Sequence, residues 1–169
     1  MSQIKNQQGF TMVELMITLA IAGMLLAVGV PSMRAMIQVN KVAAESRAMV
    51  TALNYARSEA VTRKRAVSVV PTDGSNWTNG LTVWLDANGD GSVDNNDAET
   101  LQVFPDLDDI ALTPSGAFTE IRFDEDGFLE SPATAPSFAL QLTDCNKAGV
   151  RTIVVNLSGR VEVERAACS

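Results

Sequence analysis

Between positions 86 and 97 the chain spaces oxygen donors as a calcium ion needs them. Asp86, Asn88, Asp90, Asp94 and Asp97 fall at positions 1, 3, 5, 9 and 12 of a loop, the Ser92 carbonyl falls at position 7, and Gly91 at position 6 permits the sharp turn. Hard carboxylate and carbonyl oxygens at that spacing can wrap a hard divalent cation. Two features depart from the helix-flanked form: strand-forming residues lie on either side, and Asp97 stands where the longer Glu is usual. The competing reading is a hairpin loop in which Asp, Asn and Gly serve the turn.

Other chemistry is bounded by what the chain lacks. It has no histidine in 169 residues, which excludes His-based triads and His-ligated zinc, and its two cysteines are not in a Cys-x-x-Cys pair. Asp106, Asp108, Asp109, Asp124 and Asp126 offer carboxylates for acid-base work, but such clusters commonly mark solvated loops. An enzyme would have to work with acids alone, and no enzymatic activity is expected.

The remaining chemically pointed residue is Glu14. It follows Gly9-Phe10-Thr11-Met12-Val13 and precedes nineteen uncharged residues, 15–33, rich in Leu, Ile, Met, Ala and Val. At 1.5 Å per residue, that stretch is about long enough to cross the hydrocarbon of a membrane once. An unpaired carboxylate at its start costs at least a few kcal/mol in a bilayer, so Glu14 is either an interfacial acid that snorkels or a functional group with a partner.

The run Gly9-Phe10-Thr11-Met12-Val13-Glu14-Leu15 resembles the processing site of type IV pilins and type II secretion pseudopilins. That resemblance implies cutting by a prepilin peptidase after Gly9 and N-methylation of the new terminal Phe10. It also implies that Glu14, the fifth mature residue, pairs with the terminal amine of a neighbouring subunit, and that Pro31 occupies the twenty-second mature position. A secretory signal peptide loses its apolar region on cleavage. Here the apolar region follows the cut, so removing nine residues leaves a mature chain of 160 that keeps its anchor.

The elements that must position these residues are legible in the patterning. Val39, Val42, Ser46, Met49, Leu53, Ala56 and Ala60 recur at alternating steps of three and four, with Lys41, Glu45, Arg47, Arg57 and Arg63 off the stripe. The pattern predicts one long helix over 11–65, kinked near Gly29 and Pro31, whose stripe buries against a sheet. A coiled coil would need longer heptad runs and larger residues. From position 66 the period becomes two, predicting strands at 66–70, 80–85, 100–104, 120–123, 138–142, 151–157 and 160–164, separated by turn pairs such as Asp126-Gly127 and Ser158-Gly159. The expected organisation is a leader over 1–9, a transmembrane half-helix over 10–35, an amphipathic half over 36–65 and an extracytoplasmic β domain over 66–169. The expected fold class is α+β and pilin-like, with a long N-terminal helix packed against a C-terminal antiparallel β domain.

Charge is divided unevenly. Residues 34–65 carry seven basic and two acidic side chains, whereas 66–169 carry five basic against seventeen acidic, a net of −12. That field disfavours non-specific nucleic-acid binding, which draws its affinity from phosphate neutralisation. The positive-inside rule is ambiguous, since Lys5 precedes the span and Arg34, Lys41 and Arg47 follow it.

Further cues are Arg57-Ser58-Glu59-Ala60 with Arg63, Gly80-Leu81-Thr82-Val83-Trp84, Ile121-Arg122-Phe123 before Asp126-Gly127, and the run from Thr152 through Ser158-Gly159-Arg160. With these the chain resembles the GspH/FimT family of minor pilins and pseudopilins. The resemblance implies a non-enzymatic subunit that helps initiate or cap a type IV pilus. The alternatives are a pseudopilin in type II protein export, or a DNA-uptake pilin using Arg151, Arg160 and Arg165, against which Glu162 and Glu164 count. Implied partners are other pilins through the N-terminal helix, prepilin peptidase and the inner membrane, with the C-terminal domain outside the cytoplasm and nucleic acid not expected. In an exported domain, Cys145 and Cys168 allow one bridge across 22 intervening residues, worth roughly 3 kcal/mol on the chain-entropy account. Free buried thiols and intermolecular pairing are the alternatives.

Overall fold

The computed structural model describes residues 10–87, 99–107, 110–142 and 149–166. The chain divides into a unit ending at Ile37 and a unit beginning at Gln38.

Helix α1 (Met12–Arg63) begins in the first unit. Thr11 caps it: its Oγ1 accepts from the Glu14 N–H at 3.2 Å and its carbonyl accepts from the Leu15 N–H at 3.1 Å. Thr11-x-x-Glu14 therefore has the spacing of a capping box, and the acid occupies the first turn, where the helix dipole favours it. The helix continues through Pro31, which has no N–H to donate. From Phe10 to Ile37 the large apolar side chains are exposed, including Leu15, Leu19, Leu25, Leu26 and Met33. This stretch is long and apolar enough to cross a membrane.

In the second unit α1 buries Val42, Ala43, Ser46, Met49, Ala52, Leu53, Ala56 and Ala60. The stripe is thus the one read from periodicity, except that Val39 is exposed. Full burial of side chains such as Met49 and Leu53 contributes about 1.5–3 kcal/mol each. The helix ends two residues before the expected position because Lys64 turns left-handed at φ 53°, and the Arg65 N–H reaches back to the Ala60 carbonyl at 3.3 Å. That six-to-one bond satisfies a carbonyl the last turn would leave open.

Among the described residues nine strands follow, forming two antiparallel sheets. One has the order β3 (Thr100–Phe104), β2 (Leu81–Leu85), β1 (Val67–Pro71), β5 (Ile121–Phe123), β6 (Leu129–Ser131). The other has the order β4 (Ile110–Pro114), β7 (Ser137–Leu142), β8 (Val150–Val155), β9 (Val161–Ala166). Strands β4 and β6 were not expected. β6 has only three residues beside a register shift, and β4 is an edge strand ending in Pro114, so neither carries a long alternation.

The stripe of α1 joins Val67, Val69, Val83, Ile121, Phe123, Phe138, Leu140, Ile153 and Val155 in one core. Trp77 and Phe118 each meet Phe138 edge to face and each other at a tilt, with ring centroids 5.0–5.7 Å apart, joining the β1–β2 turn to the second sheet. The Trp77 indole N–H donates to the Phe118 carbonyl at 3.1 Å, which satisfies its one polar atom.

Candidate functional site

The functional residues read from the sequence fall into three groups. At the N-terminus, Phe10 is 82% exposed and Glu14 is exposed in the first helical turn, while Gly9 lies outside the described residues. Pro31 lies within α1. Cys145 and Cys168 also lie outside the described residues, as do Asn88, Asp90, Ser92, Asp94 and Asp97.

Asp86 is the one candidate calcium ligand whose surroundings are described. It directly follows β2, two residues after Trp84, and the ladder aligns Trp84 with Ser68 and Ser68 with Arg122. Strand alternation therefore brings Asp86 and Arg122 to the same face of the sheet. Arg122 Nη2 lies 2.7 Å from Asp86 Oδ2, with side-chain exposures of 18% and 3%. The same guanidinium donates through Nε to Glu130 Oε2 at 3.0 Å and sits 3.8 Å from Glu120 Oε1, which in turn accepts from the Ser68 hydroxyl at 2.6 Å. Burial works against the charge on Arg122, but the hydrogen bond to Asp86 and the field and hydrogen bond of Glu130 leave its pKa raised. A cavity of about 350 Å³ beside this pair is lined by Lys64, Arg65, Asp86, Ala87, Arg122 and Glu125. Its cationic lining is already engaged: Lys64 bonds Asp126, Arg65 donates to the Ala87 carbonyl, and Arg122 holds Asp86. Among the described residues, no group of three or more His, Cys, Asp or Glu is arranged to hold a metal ion.

Two of the carboxylates considered for acid-base work, Asp124 and Asp126, have structural tasks. Asp124 Oδ1 accepts from the Asp126 and Phe128 N–H groups, and Asp126 pairs with Lys64 at 3.0 Å. Asp106 is exposed, and Asp108 and Asp109 lie outside the described residues.

Arg57 has a role that spacing alone does not reveal. Its Nε donates to the Gly127 carbonyl at 2.9 Å and its Nη2 to the Ser158 carbonyl at 3.0 Å. One helical side chain thereby ties together two turns 31 residues apart in sequence. The turns meet so closely that a Cβ on Gly159, at φ +74°, would stand 1.9 Å from the Gly127 carbonyl oxygen. The turn pairs were visible in the sequence; that both face Arg57 was not.

Comparison with known proteins follows the same division of the chain. The family model described as type II transport protein GspH matches residues 45–159, and the prokaryotic N-terminal methylation motif matches residues 4–30. The type IV minor pilin FimU of Pseudomonas aeruginosa PAO1, in a crystal of space group P21, is similar at 26% identity and TM-score 0.58, over 76% of this chain and 90% of that one. In space group P65 the values are 27% and 0.54, over 71% and 91%. The minor pseudopilin EpsH of the Vibrio cholerae type 2 secretion system is similar at 15% identity and TM-score 0.49, over 74% and 95%. No curated protein matches the sequence.

Proposed function

Because the chain belongs to the GspH family of type II transport proteins and carries the N-terminal methylation motif, we propose that it is a non-enzymatic minor pilin of the GspH/FimU/FimT type. It is cut by prepilin peptidase between Gly9 and Phe10, methylated on the Phe10 nitrogen, and takes part in initiating or capping a type IV pilus. The observation that carries this reading is the stretch behind the motif, in which the large apolar side chains from Phe10 to Ile37 are exposed. Such a surface needs lipid before assembly and neighbouring helices afterwards. We assign the first half of α1 to a single inner-membrane span, with residues 66–169 outside the cytoplasm.

Glu14 and Pro31 are the residues we assign to packing in the filament. The helix dipole offsets only about 0.3–1 kcal/mol of a first-turn carboxylate, less than the few kcal/mol that bilayer burial costs. A neighbouring subunit's terminal amine supplies the rest. A bridge between Cys145 and Cys168 and a calcium ion on the 86–97 loop belong to the same proposal and rest on the sequence.

Similarity to FimU over 90% of that chain favours the pilus, while the family's description as a type II transport protein favours the second reading, a pseudopilin in protein export. A deletion strain scored for surface pili and for secreted protein separates them. Loss of pili with normal secretion supports the first reading; normal piliation with blocked secretion replaces it with the second.

A further inference from the structure

Arg151 and Arg165 stand directly opposite each other in the β8–β9 ladder. Directly opposed side chains share a face of the sheet, with Cβ atoms about 5 Å apart, and like charges there are destabilising. Alternation puts them on the face that carries Ile153 and Val155, which belong to the core, so the two arginines rim the core on its helix side. Arg47 of α1 adds a third charge. Burial first, and then the fields of Arg165 and Arg47, push the Arg151 pKa down.

Among the described residues no acid is paired with these charges. Glu162 and Glu164 face Val154 and Thr152 across the ladder and therefore occupy the opposite side of β9. Glu162 instead lies 3.8 Å from Arg160. Among the described residues the ion pairs formed by arginine use Arg63, Arg122 and Arg160, and none neutralises Arg47, Arg151 or Arg165. In a chain of net charge −7, three clustered and unpaired guanidinium groups retain a repulsion that an arriving anion would relieve.

We propose that Arg47, Arg151 and Arg165 form a receptor for a carboxylate-bearing segment of a neighbouring protein subunit, docked on the helix-side face of β8–β9. Guanidinium forks suit carboxylates because they bind them bidentately. A nucleic acid fits the site less well. Three phosphate contacts give little affinity at physiological salt, and the net charge of −12 over 66–169 repels an extended polyanion. An adjoining subunit presents a single acidic segment at high effective concentration, which compensates for a small contact. The source of the partner rests on the filament-subunit reading above; the anion chemistry does not.

The test uses the full chain in non-ionic detergent micelles, with a hexaglutamate peptide as probe and a DNA duplex as competitor. The peptide should bind and raise the melting temperature, while sodium chloride at matched ionic strength should not. Arg151→Gln combined with Arg165→Gln should weaken peptide binding about tenfold or more, and Arg160→Gln should leave it unchanged. Arg165→Gln alone should raise the melting temperature of the peptide-free chain by relieving the opposed charges, a gain that a purely structural arginine would not give. Absence of peptide binding, or binding indifferent to the double substitution, overturns the site. Tighter binding of the duplex through the same arginines assigns it to nucleic acid and overturns the proposed partner. A chain that enters filaments but ignores the peptide refutes the receptor alone, whereas one that binds the peptide but never enters filaments refutes the filament reading and leaves the anion site standing.

Discussion

Arg122 Nη2 lies 2.7 Å from Asp86 Oδ2, and the carboxylate is 3% exposed. Asp86→Ala removes a buried charge-assisted bond, worth about 1.5–3 kcal/mol, while Glu130 still holds Arg122 at 3.0 Å. It should therefore lower stability by about 2 kcal/mol in urea melts of the detergent-solubilised chain, whether calcium or a chelator is present. The calcium reading needs substitutions that spare this pair. With Asp90→Ala and Asp94→Ala, any calcium-dependent rise in melting temperature should disappear while the chelator baseline holds. A wild-type melting temperature that ignores millimolar calcium would reduce the 86–97 loop to a turn.

The meeting of the Gly127 and Gly159 turns under Arg57 leaves no room for a side chain. Gly159→Ala combines a left-handed backbone at φ +74° with a Cβ 1.9 Å from a carbonyl oxygen, and should destabilise by about 3 kcal/mol or more. Arg57→Gln should cost about 1.5–3 kcal/mol, because it removes charge-assisted bonds to two carbonyls. Gly74→Ala is the control: it shares the positive φ but meets nothing within 4 Å, so it should cost less than Gly159→Ala.

Asp73 gives the β1–β2 turn a pH dependence. Its carboxylate accepts from the Asn76 N–H at 2.7 Å, the Ser75 N–H at 2.9 Å and the Asn79 side chain at 2.7 Å, and these bonds pull its pKa down to about 2. The unfolded value is about 3.9. A pKa depressed by folding stabilises fully above the unfolded value, and that stability is lost as pH falls toward 2. The melting-temperature gap between wild type and Asp73→Ala should thus be constant at neutral pH and shrink between about pH 4 and pH 2. A gap unchanged down to pH 2 would show that the carboxylate's charge contributes nothing.

Glu14→Ala should insert into the membrane at least as well as wild type, since it removes a charge whose burial costs a few kcal/mol. Its fraction in sheared filaments should fall. Normal incorporation of the variant would refute the pairing assigned to Glu14.

The helix stripe was legible because burial of one face imposes a 3.6-residue period, and it holds at every expected position from Val42 to Ala60. Strands with one buried face were legible through alternation, as in β7 (Ser137–Leu142), and the limits of β3 (Thr100–Phe104) match the expected ones. Which residues meet across space was not. Glu162 and Glu164 count as neighbours of Arg165 along the chain, yet the ladder sends them to the other face of β9. Asp86 reads as the first ligand of a loop, but the row running from Trp84 through Ser68 to Arg122 makes it half of an ion pair. Local spacing constrains an element; long-range register decides its partners.

The central claim is that this chain is processed as a pilin and keeps its apolar helix. Mass spectrometry of the N-terminal peptide from membrane-extracted protein tests it most directly. The account predicts a chain that begins at Phe10 and carries one methyl group on its terminal nitrogen, with Gly9→Ala leaving an uncut, still membrane-bound precursor. A mature chain that begins beyond residue 25 would have lost the helix, and would contradict the account.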